Sequence, residues 1–234
     1  METVNTQFVL APDAAIDLQL HTINSDGAWT PEQLIEYLVV EQFGLAAITD
    51  HDRVDTMTSL QQLASKKHLP LLTAVEMSAS WKGELTDLLC YGFDPEQNVL
   101  HELAQDITRR QRENTKEICE NLRKIGIIFP SSQELVVLLE KPSAQQPHEL
   151  VAMLKKYGYG TGKPSAGEMI TDAGFFWATN DIAVVVDAAH RSGAVCLIAH
   201  PGRGEGNTCY DTRLLDELRR DVPTRLLQCC KLWV

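Results

Sequence analysis

The 234-residue sequence lacks any apolar run long enough to cross a membrane. A membrane-spanning helix needs about 20 consecutive apolar residues. The segment 1–12 also lacks the basic and apolar regions of a signal peptide. These absences argue against a membrane partner and predict a cytoplasmic location.

The sequence also lacks closely paired cysteines and an excess of positive charge. None of the six cysteines forms a CxxC pair. This spacing argues against a disulfide framework or a zinc knuckle and favours reduced thiols. The 21 basic and 32 acidic residues give a net charge of −11. This balance argues against binding of duplex nucleic acid, although a local basic pocket could still hold a phosphate.

Strand-like and helical segments alternate along most of the chain, which predicts helices packed around a mostly parallel sheet. The segment 95–178 differs, because it starts with a long amphipathic helix at 98–125 and continues in short helices. We therefore predict an α/β domain formed by residues 1–94 and 179–234, with 95–178 as a helical insertion that can cover the active-site face. The predicted strands cover residues 15–21, 45–49, 69–75, 85–93 and 194–199.

Three of these strands end in side chains that can bind metals. His21 follows the first strand, and Asp50 and His51 follow the second. His200 follows the strand at 194–199. Active sites of barrels and open α/β sheets are built at the carboxyl ends of their strands. Imidazoles and carboxylates gathered there predict a site for divalent metals.

Eight short segments occur in a family-like order between about residues 16 and 203. They are DLQLHT at 17–22, SDG at 25–27, ITDHD at 48–52, VEMS at 75–78, the strand through Asp87, PH at 147–148, GKP at 162–164 and AHPGR at 199–203. Together they resemble the PHP superfamily, the polymerase and histidinol phosphatase domains. The likeness is closest to small stand-alone phosphoesterases that act on nucleoside 3′,5′-bisphosphates and short oligonucleotides.

The resemblance implies a fold and a set of site residues. The expected fold is an α/β, distorted (β/α)7 PHP-type barrel with two or three divalent metals (Mn, Fe or Zn) at the carboxyl ends of its strands. The implied metal ligands are His21, Asp26, His51, Glu76, Asp87 and His200. The residues implied in catalysis are Asp50, His51, Glu76 and His200, and those implied in substrate binding are His148, Lys163 and Arg203.

Several of these residues also have an ordinary structural interpretation, which stays open. His21 can be a surface or capping histidine, and Asp26 can simply belong to an Asp-Gly turn. Asp87 can be a solvated residue of an edge strand. His148 and Lys163 can be solvated side chains of a helix and a loop.

Neighbouring polar and aromatic residues have assigned roles too. Asp50 is expected to orient an imidazole through its second nitrogen, and Asp52 to cap a helix. The arginines of the long helix, Arg109, Arg110 and Arg112, are interpreted as a solvated face, with contact to a substrate phosphate as the alternative. The four tryptophans are interpreted as packing residues; they are Trp29, Trp81, Trp177 and Trp233.

The chain departs from the family pattern at identifiable positions. Gln19 and Asp87 stand where the family has histidine, and Gln146 stands where it tends to have arginine. An amide oxygen is a poorer ligand than an imidazole, so one metal is expected to be weakened. The chain reaches Val234 without the family's Gly-Ser-Asp-x-His segment, which predicts a C-terminally incomplete barrel from a truncated or frame-shifted product.

The sequence therefore predicts a metal-dependent phosphoesterase. Its substrate would be a small phosphorylated compound, a nucleotide such as a 3′,5′-bisphosphate or a short oligonucleotide, and the reaction hydrolysis by a metal-activated water. The alternative is a non-catalytic or truncated PHP-like module that binds a nucleotide or a partner protein.

Overall fold

The computed structural model describes residues 10–128, 132–202 and 208–222. The strands are β1 (Ala15–Leu20), β2 (Phe43–Ile48), β3 (Leu71–Leu72), β4 (Ala74–Met77), β5 (Ala79–Trp81), β6 (Glu84–Leu85), β7 (Leu88–Tyr91), β8 (Asn180–Asp181) and β9 (Val195–Ile198). The α-helices are α1 (Pro31–Val40), α2 (Met57–Lys66), α3 (Leu100–Lys124), α4 (Ser132–Glu140), α5 (Gln146–Lys156), α6 (Ala166–Asp172), α7 (Ile182–Arg191) and α8 (Thr212–Asp221).

The start of α1 follows from its local sequence. The Thr30 side chain accepts a hydrogen bond from the Gln33 backbone, and the Gln33 side chain accepts one from the Thr30 backbone. This reciprocal pair satisfies two donors at the helix start, and Pro31 suits the first helical position because its missing N–H is not needed there. α1 then provides the crossover that two adjacent parallel strands require.

The first sheet has the parallel order β1-β2-β3. It carries the ends of β1 and β2 to the same edge, with Leu20 paired to Ile48. The predicted strand 69–75 is divided at Thr73, because β3 pairs with β2 whereas β4 pairs with β7.

The second sheet, β4-β7-β9, corrects the expectation of a mostly parallel arrangement. β7 runs antiparallel to both β4 and β9. The connection from β4 to β7 holds only the short strands β5 and β6 and no helix, whereas a parallel pair needs a crossover of a dozen or more residues. Leu88 at the start of β7 pairs with Met77 and with Ile198. The residue before it therefore lies at the edge where β4 and β9 end.

A third sheet has the order β6-β5-β8. Within residues 10–128, 132–202 and 208–222, the strands thus form three sheets, and an isolated parallel bridge between His51 and Glu76 links the first to the second. The mixed α/β class is confirmed, and closure into a (β/α)7 barrel stays a prediction. The expectations about the chain end concern residues 223–234, which lie outside the described ranges.

The helices α3 to α6 occupy the segment predicted to be helical. The buried apolar residues form two clusters, and α3 belongs to both. Its first half contributes Leu100 and Ile107 to the cluster that includes the strands. Its second half contributes Ile118 and Leu122 to a cluster shared with α4, α5 and α6. The division of the chain into two domains stays a prediction.

Membrane insertion finds no support among the helices that the structure describes. None of them combines the length and the apolar character needed to cross a bilayer.

Candidate metal centre

The candidate centre forms where β1, β2, β4 and β9 bring ionisable side chains to one edge. His21 directly follows β1, and His51 follows β2 by three positions. Glu76 lies within β4, and His200 lies two residues after β9. The φ angle of His200 is 31°. Such a left-handed value is uncommon for a residue with a side chain and is concentrated at functional sites.

Glu76 is the most deeply buried member of the centre, with 0% of its surface exposed. Its Oε2 atom lies 3.1 Å from His21 Nε2 and accepts a hydrogen bond of 3.1 Å from Gln19 Nε2. Its Oε1 atom lies 3.3 Å from His200 Nε2. Burial acts to raise the pKa of Glu76, but the hydrogen bonds from His200 and His21 outweigh it and lower the pKa far below the usual range. Glu76 is therefore an ionised carboxylate.

His21 and Asp26 form a second contact pair beside Glu76. His21 Nδ1 lies 3.1 Å from Asp26 Oδ1, and His51 Nε2 lies 3.9 Å from Asp26 Oδ2. Burial acts to lower the pKa of His21, yet hydrogen bonds to Asp26 and Glu76 raise the pKa to about 10. The hydrogen bond from His21 lowers the pKa of Asp26 to about 2. In the metal-free centre, the proton on His21 therefore supplies positive charge beside the carboxylates of Asp26 and Glu76.

Two sets of ligand atoms are close enough together to hold metal ions. One set contains His21, Asp26 and His51, and the other contains His51, Glu76 and Asp87. Within each set the ligand atoms lie within 4.8 Å of one another. Imidazole nitrogens with carboxylate oxygens suit divalent metals such as Zn, Fe and Mn. The residues present thus fit divalent metals, with His51 shared between the sets.

Asp87 is placed in the centre and not on a solvated strand edge. It precedes β7 and is partly buried, and it belongs to the same ligand set as Glu76. Burial raises the pKa of Asp87 to about 6. A hard oxygen ligand therefore occupies a position at which the resemblance implies a histidine.

Asp50 has different partners from those expected. Its carboxylate accepts hydrogen bonds from the Thr22 backbone at 2.6 Å, from Thr22 Oγ1 at 2.7 Å and from Ser25 Oγ at 2.7 Å. The expectation that it orients an imidazole was wrong. Asp50 instead orders the loop that carries His21 and Asp26.

The same loop is tightly closed at Gly27. The Gly27 backbone donates to the Thr22 carbonyl at 2.9 Å, and a Cβ atom at Gly27 would lie 2.3 Å from the His21 carbonyl oxygen. Only glycine fits there without a shift of the backbone. The predicted turn at 25–27 is therefore confirmed, and its tightness fixes the spacing between His21 and Asp26.

Asp52 is not a helix cap. Its carboxylate accepts hydrogen bonds from the Ser78 backbone at 3.0 Å and from Ser78 Oγ at 2.7 Å. Burial raises the pKa of Asp52 to about 6. This pair ties the segment after β2 to the segment after β4, so it helps to keep His51 beside Glu76.

A cavity of about 270 Å³ lies directly beside the ligand sets. Its lining combines strand-end residues with residues of the helical segment. The lining residues are Asp26, His51, Asp52, Ser78, Leu85, Asp87, Ile107, Gln111, Ser143, Ala144, His148, Trp177 and Ala178. His148 is thus placed at the cavity, as expected for a substrate contact. Gln145 Nε2 donates to the Ser25 carbonyl, so α5 also contacts the metal-binding loop.

A larger cleft of about 560 Å³ shares Asp52 and Ser143 with this cavity. Arg109 lines the cleft but is paired with Asp106 and Glu113. The remaining charged residues on its walls are Arg53, Asp55, Arg112, Glu113, Lys116 and Glu140, with His101 beside them. Within the part of the chain that the structure describes, neither Arg112 nor Lys116 forms an ion pair, so both are available to an anion.

Three expectations about substrate contacts have different outcomes. Arg110 does not face the cleft, because it bonds Asp106, the Thr179 carbonyl and Asn180. Lys163 is exposed and lines neither the cavity nor the cleft. Arg203 lies outside the described residues.

Two cavity residues were missed by the sequence interpretation. Trp177 was interpreted as a packing residue, although the adjacent aromatics Phe175 and Phe176 form a run outside any helix, which is a signal for an exposed aromatic surface. Gln111 was not considered. It lies four residues after Ile107 on the apolar face of α3, and a polar side chain on such a face is a recognisable signal.

The fold agrees with those of two solved structures. A structure described as a metal-dependent phosphoesterase from Bifidobacterium adolescentis matches with a TM-score of 0.70 and 22% identity, covering 90% of this chain and 75% of that one. An amidohydrolase from Chromobacterium violaceum, with bound sulfate and no metal, matches with a TM-score of 0.66 and 24% identity over 90% and 74%. The class that fold and site define is a mixed α/β fold of the phosphoesterase and amidohydrolase type.

The chain is also similar in sequence to proteins with known activities. A 3′,5′-nucleoside bisphosphate phosphatase from Chromobacterium violaceum is 27% identical over 221 residues, covering 87% of this chain and 73% of the relative. The 5′-3′ exoribonuclease Rnm of Escherichia coli is 28% identical over 195 residues, covering 80% of this chain and 65% of the relative. No protein-family model matches the chain. The names of these relatives fit a member of the PHP superfamily and support a hydrolase of PHP type.

Replacing Asp50 tests the proposed support of the metal-binding loop. Asp50→Asn removes charge from hydrogen bonds to Thr22 and Ser25, so we expect metal affinity to fall about tenfold, as for other groups that hold ligands in place. Titration calorimetry with Mn²⁺ or Zn²⁺ measures the change. Asp172→Asn, at an exposed position of α6, is the matched control. Unchanged affinity in Asp50→Asn would contradict this role.

Metal binding is expected to release protons. The pKa of His21 is raised to about 10 in the metal-free centre, so His21 is protonated at pH 7 and must lose its proton to become a ligand. Affinity should therefore rise between pH 6 and pH 9. Calorimetry at pH 7 in buffers of different ionisation enthalpy should show release of about one proton. Binding heats that do not depend on the buffer would refute the expectation.

Proposed function

We propose that this protein is a metal-dependent phosphoesterase that hydrolyses a phosphate ester of a nucleotide, with a nucleoside 3′,5′-bisphosphate as the first candidate. The observation that carries the proposal is the pair of ligand sets sharing His51 at the wall of a cavity. The names of the relatives, a bisphosphate phosphatase and exoribonucleases, support phosphate esters of nucleotides as the substrate class.

The proposed roles of the residues follow from their positions. His21, Asp26, His51, Glu76, Asp87 and His200 would hold two or three divalent ions, with Mn, Fe and Zn as candidates. A bound divalent metal supplies activation of water and neutralisation of phosphoryl charge. Glu76, buried and ionised, would be an oxygen ligand at neutral pH.

The remaining groups would orient the substrate. Asp50 holds the loop of His21 and Asp26 in place, and Asp52 holds His51 beside Glu76 through Ser78. His148 lines the cavity and would contact the substrate from the helical segment. Lys163 and Arg203 stay candidates for phosphate contacts by resemblance to the family.

Gln19 modifies this centre. It donates a hydrogen bond to Glu76 through its amide nitrogen, so it orients the carboxylate, and its amide oxygen would be a poorer ligand than an imidazole. We propose that the centre holds fewer metal ions, or binds one of them more weakly, where Gln19 replaces the histidine of the family. Retention of five of the six candidate ligands within the two sets favours an enzyme over the alternative of a non-catalytic binding module.

Phosphate release from adenosine 3′,5′-bisphosphate tests the proposed activity. Protein purified without chelator should contain divalent metal and release phosphate. His51→Ala should lower kcat/KM at least 100-fold, because His51 belongs to both ligand sets. His68→Ala, which removes an exposed histidine, should retain activity. Absence of both metal and phosphate release would leave the non-catalytic module as the better interpretation.

A second candidate function is cleavage of short RNA. The larger cleft adjoins the metal cavity, and Arg112 and Lys116 on its wall are available to backbone phosphates. A mononucleotide would not need this cleft, whereas an oligonucleotide would extend along it. Four acidic residues also line the cleft, so the attraction would be local and weak; they are Asp52, Asp55, Glu113 and Glu140.

Removing the two cations tests this second candidate. Arg112→Gln with Lys116→Gln should raise KM for a five-nucleotide RNA about three- to tenfold and reduce its salt dependence, because two phosphate contacts are lost. Hydrolysis of adenosine 3′,5′-bisphosphate should change less than twofold. Arg123→Gln with Lys124→Gln removes the same charge from the end of α3 and is the control. Equal effects of both pairs on RNA would exclude the cleft as an RNA site.

A further inference from the structure

We propose that the cavity beside the metal centre is a nucleobase subsite, in which the Trp177 ring and the Gln111 amide recognise the base of the substrate. The inference rests on the proposed function, because it names the part of a nucleotide that this site would bind. It predicts that nucleotides are preferred over sugar phosphates that have no base.

Gln111 is the first observation. Its side chain is 2% exposed and lines the cavity. Its Oε1 atom accepts a 3.0 Å hydrogen bond from the Ala178 backbone. Because a backbone N–H can only donate, this bond fixes which end of the amide faces Ala178. Within the described residues, the other end, Nε2, has no hydrogen-bond partner.

A buried amide donor without an acceptor costs free energy, so such groups in native proteins call for an explanation. A ligand with an acceptor atom in the cavity would supply the missing partner. Ring nitrogens and carbonyl oxygens of nucleobases are acceptors of this kind. Every common base has at least one, so this contact would recognise a base without selecting strongly among bases.

Trp177 is the second, independent observation. Its side chain is 38% exposed, although it is among the largest apolar side chains of the cavity wall. Phe175 meets the Trp177 ring edge-on, with 5.1 Å between the ring centroids. His148 lies 6.1 Å away with its ring tilted by 50°. Aromatic faces of this kind are platforms on which bases stack.

The remaining walls fit the same ligand. Ile107 and Ala178 supply apolar surface to the cavity that Trp177 and His148 line, whereas Asp26, His51 and Asp87 bring candidate metal-binding groups to the same cavity. A nucleotide has the same division, with a flat apolar base at one end and a phosphate at the other. The volume of about 270 Å³ lies just below the usual range of small-molecule sites, about 300 to 1,000 Å³, so the site would hold no more than a single nucleotide.

Gln111→Glu is a sharp test of the amide contact. The new side chain keeps an oxygen for the Ala178 backbone and replaces the unpartnered donor with an acceptor, which would repel the acceptors of a base. The substrates are 2′-deoxyadenosine 3′,5′-bisphosphate and its abasic tetrahydrofuran analogue. The ratio of their kcat/KM values should favour the nucleotide in the wild type and fall about tenfold in Gln111→Glu. Gln62→Glu adds the same charge at an exposed position of α2 and should leave the ratio unchanged.

Trp177 provides a readout that does not depend on catalysis. Adenosine monophosphate should quench tryptophan fluorescence of the metal-loaded wild type, and Trp177→Leu should lose that quenching and weaken binding about tenfold. Thermal unfolding of each variant shows whether it is folded.

The outcomes separate the subsite from the proposed function. Equal hydrolysis of nucleotide and abasic analogue by the wild type, with an unchanged ratio in Gln111→Glu, would overturn the subsite and leave the phosphoesterase standing. Quenching that requires Trp177, without any hydrolysis, would support the subsite and reject the enzyme. If adenosine monophosphate causes no quenching and the nucleotide is not preferred over the abasic analogue, the subsite is rejected.

Discussion

The buried carboxylate of Glu76 is the constraint on which the rest of the site depends. A charge without exposure to water is costly unless partners surround it. Its partners come from separate parts of the chain, since Gln19 belongs to β1, His21 follows β1 and His200 follows β9. The strands must therefore end at one place for Glu76 to be tolerated in the folded state. The contacts that satisfy this carboxylate also assemble the metal ligands.

The direction of the strands determines which residues can join that centre. β1, β2, β4 and β9 point their carboxyl ends at it, whereas the antiparallel β7 points its amino end there. Asp87 therefore contributes from the residue before a strand, and His21 and His200 contribute from residues after one. The loops are held by carboxylates that belong to neither candidate ligand set. Asp50 orders the loop after β1, and Asp52 joins the loops after β2 and β4.

The helical segment adds a second kind of chemistry to the strand ends. Strand-end residues supply charged ligands, whereas α3, α5 and the residues before β8 supply Ile107, Gln111, His148 and Trp177 to the same cavity. The helix α3 contributes residues to both hydrophobic clusters, so it joins the strand region to the helical segment. The division suits a substrate with a charged end and a flat apolar end.

The sequence by itself determined the mixed α/β class, the start of α1 and the strand-end histidines of the candidate metal centre, because capping boxes, strand runs and strand-end histidines are local patterns. His21 and His51 could be named from such patterns, whereas Asp26 and Glu76 were named by resemblance to the PHP superfamily. Only the tertiary structure decided that β7 is antiparallel, that Asp50 binds Thr22 and Ser25, and that Gln111 and Trp177 share a cavity with the ligands. The bond from Gln111 to Ala178 joins residues 67 positions apart, and contacts of that range arise from packing, which no local pattern records.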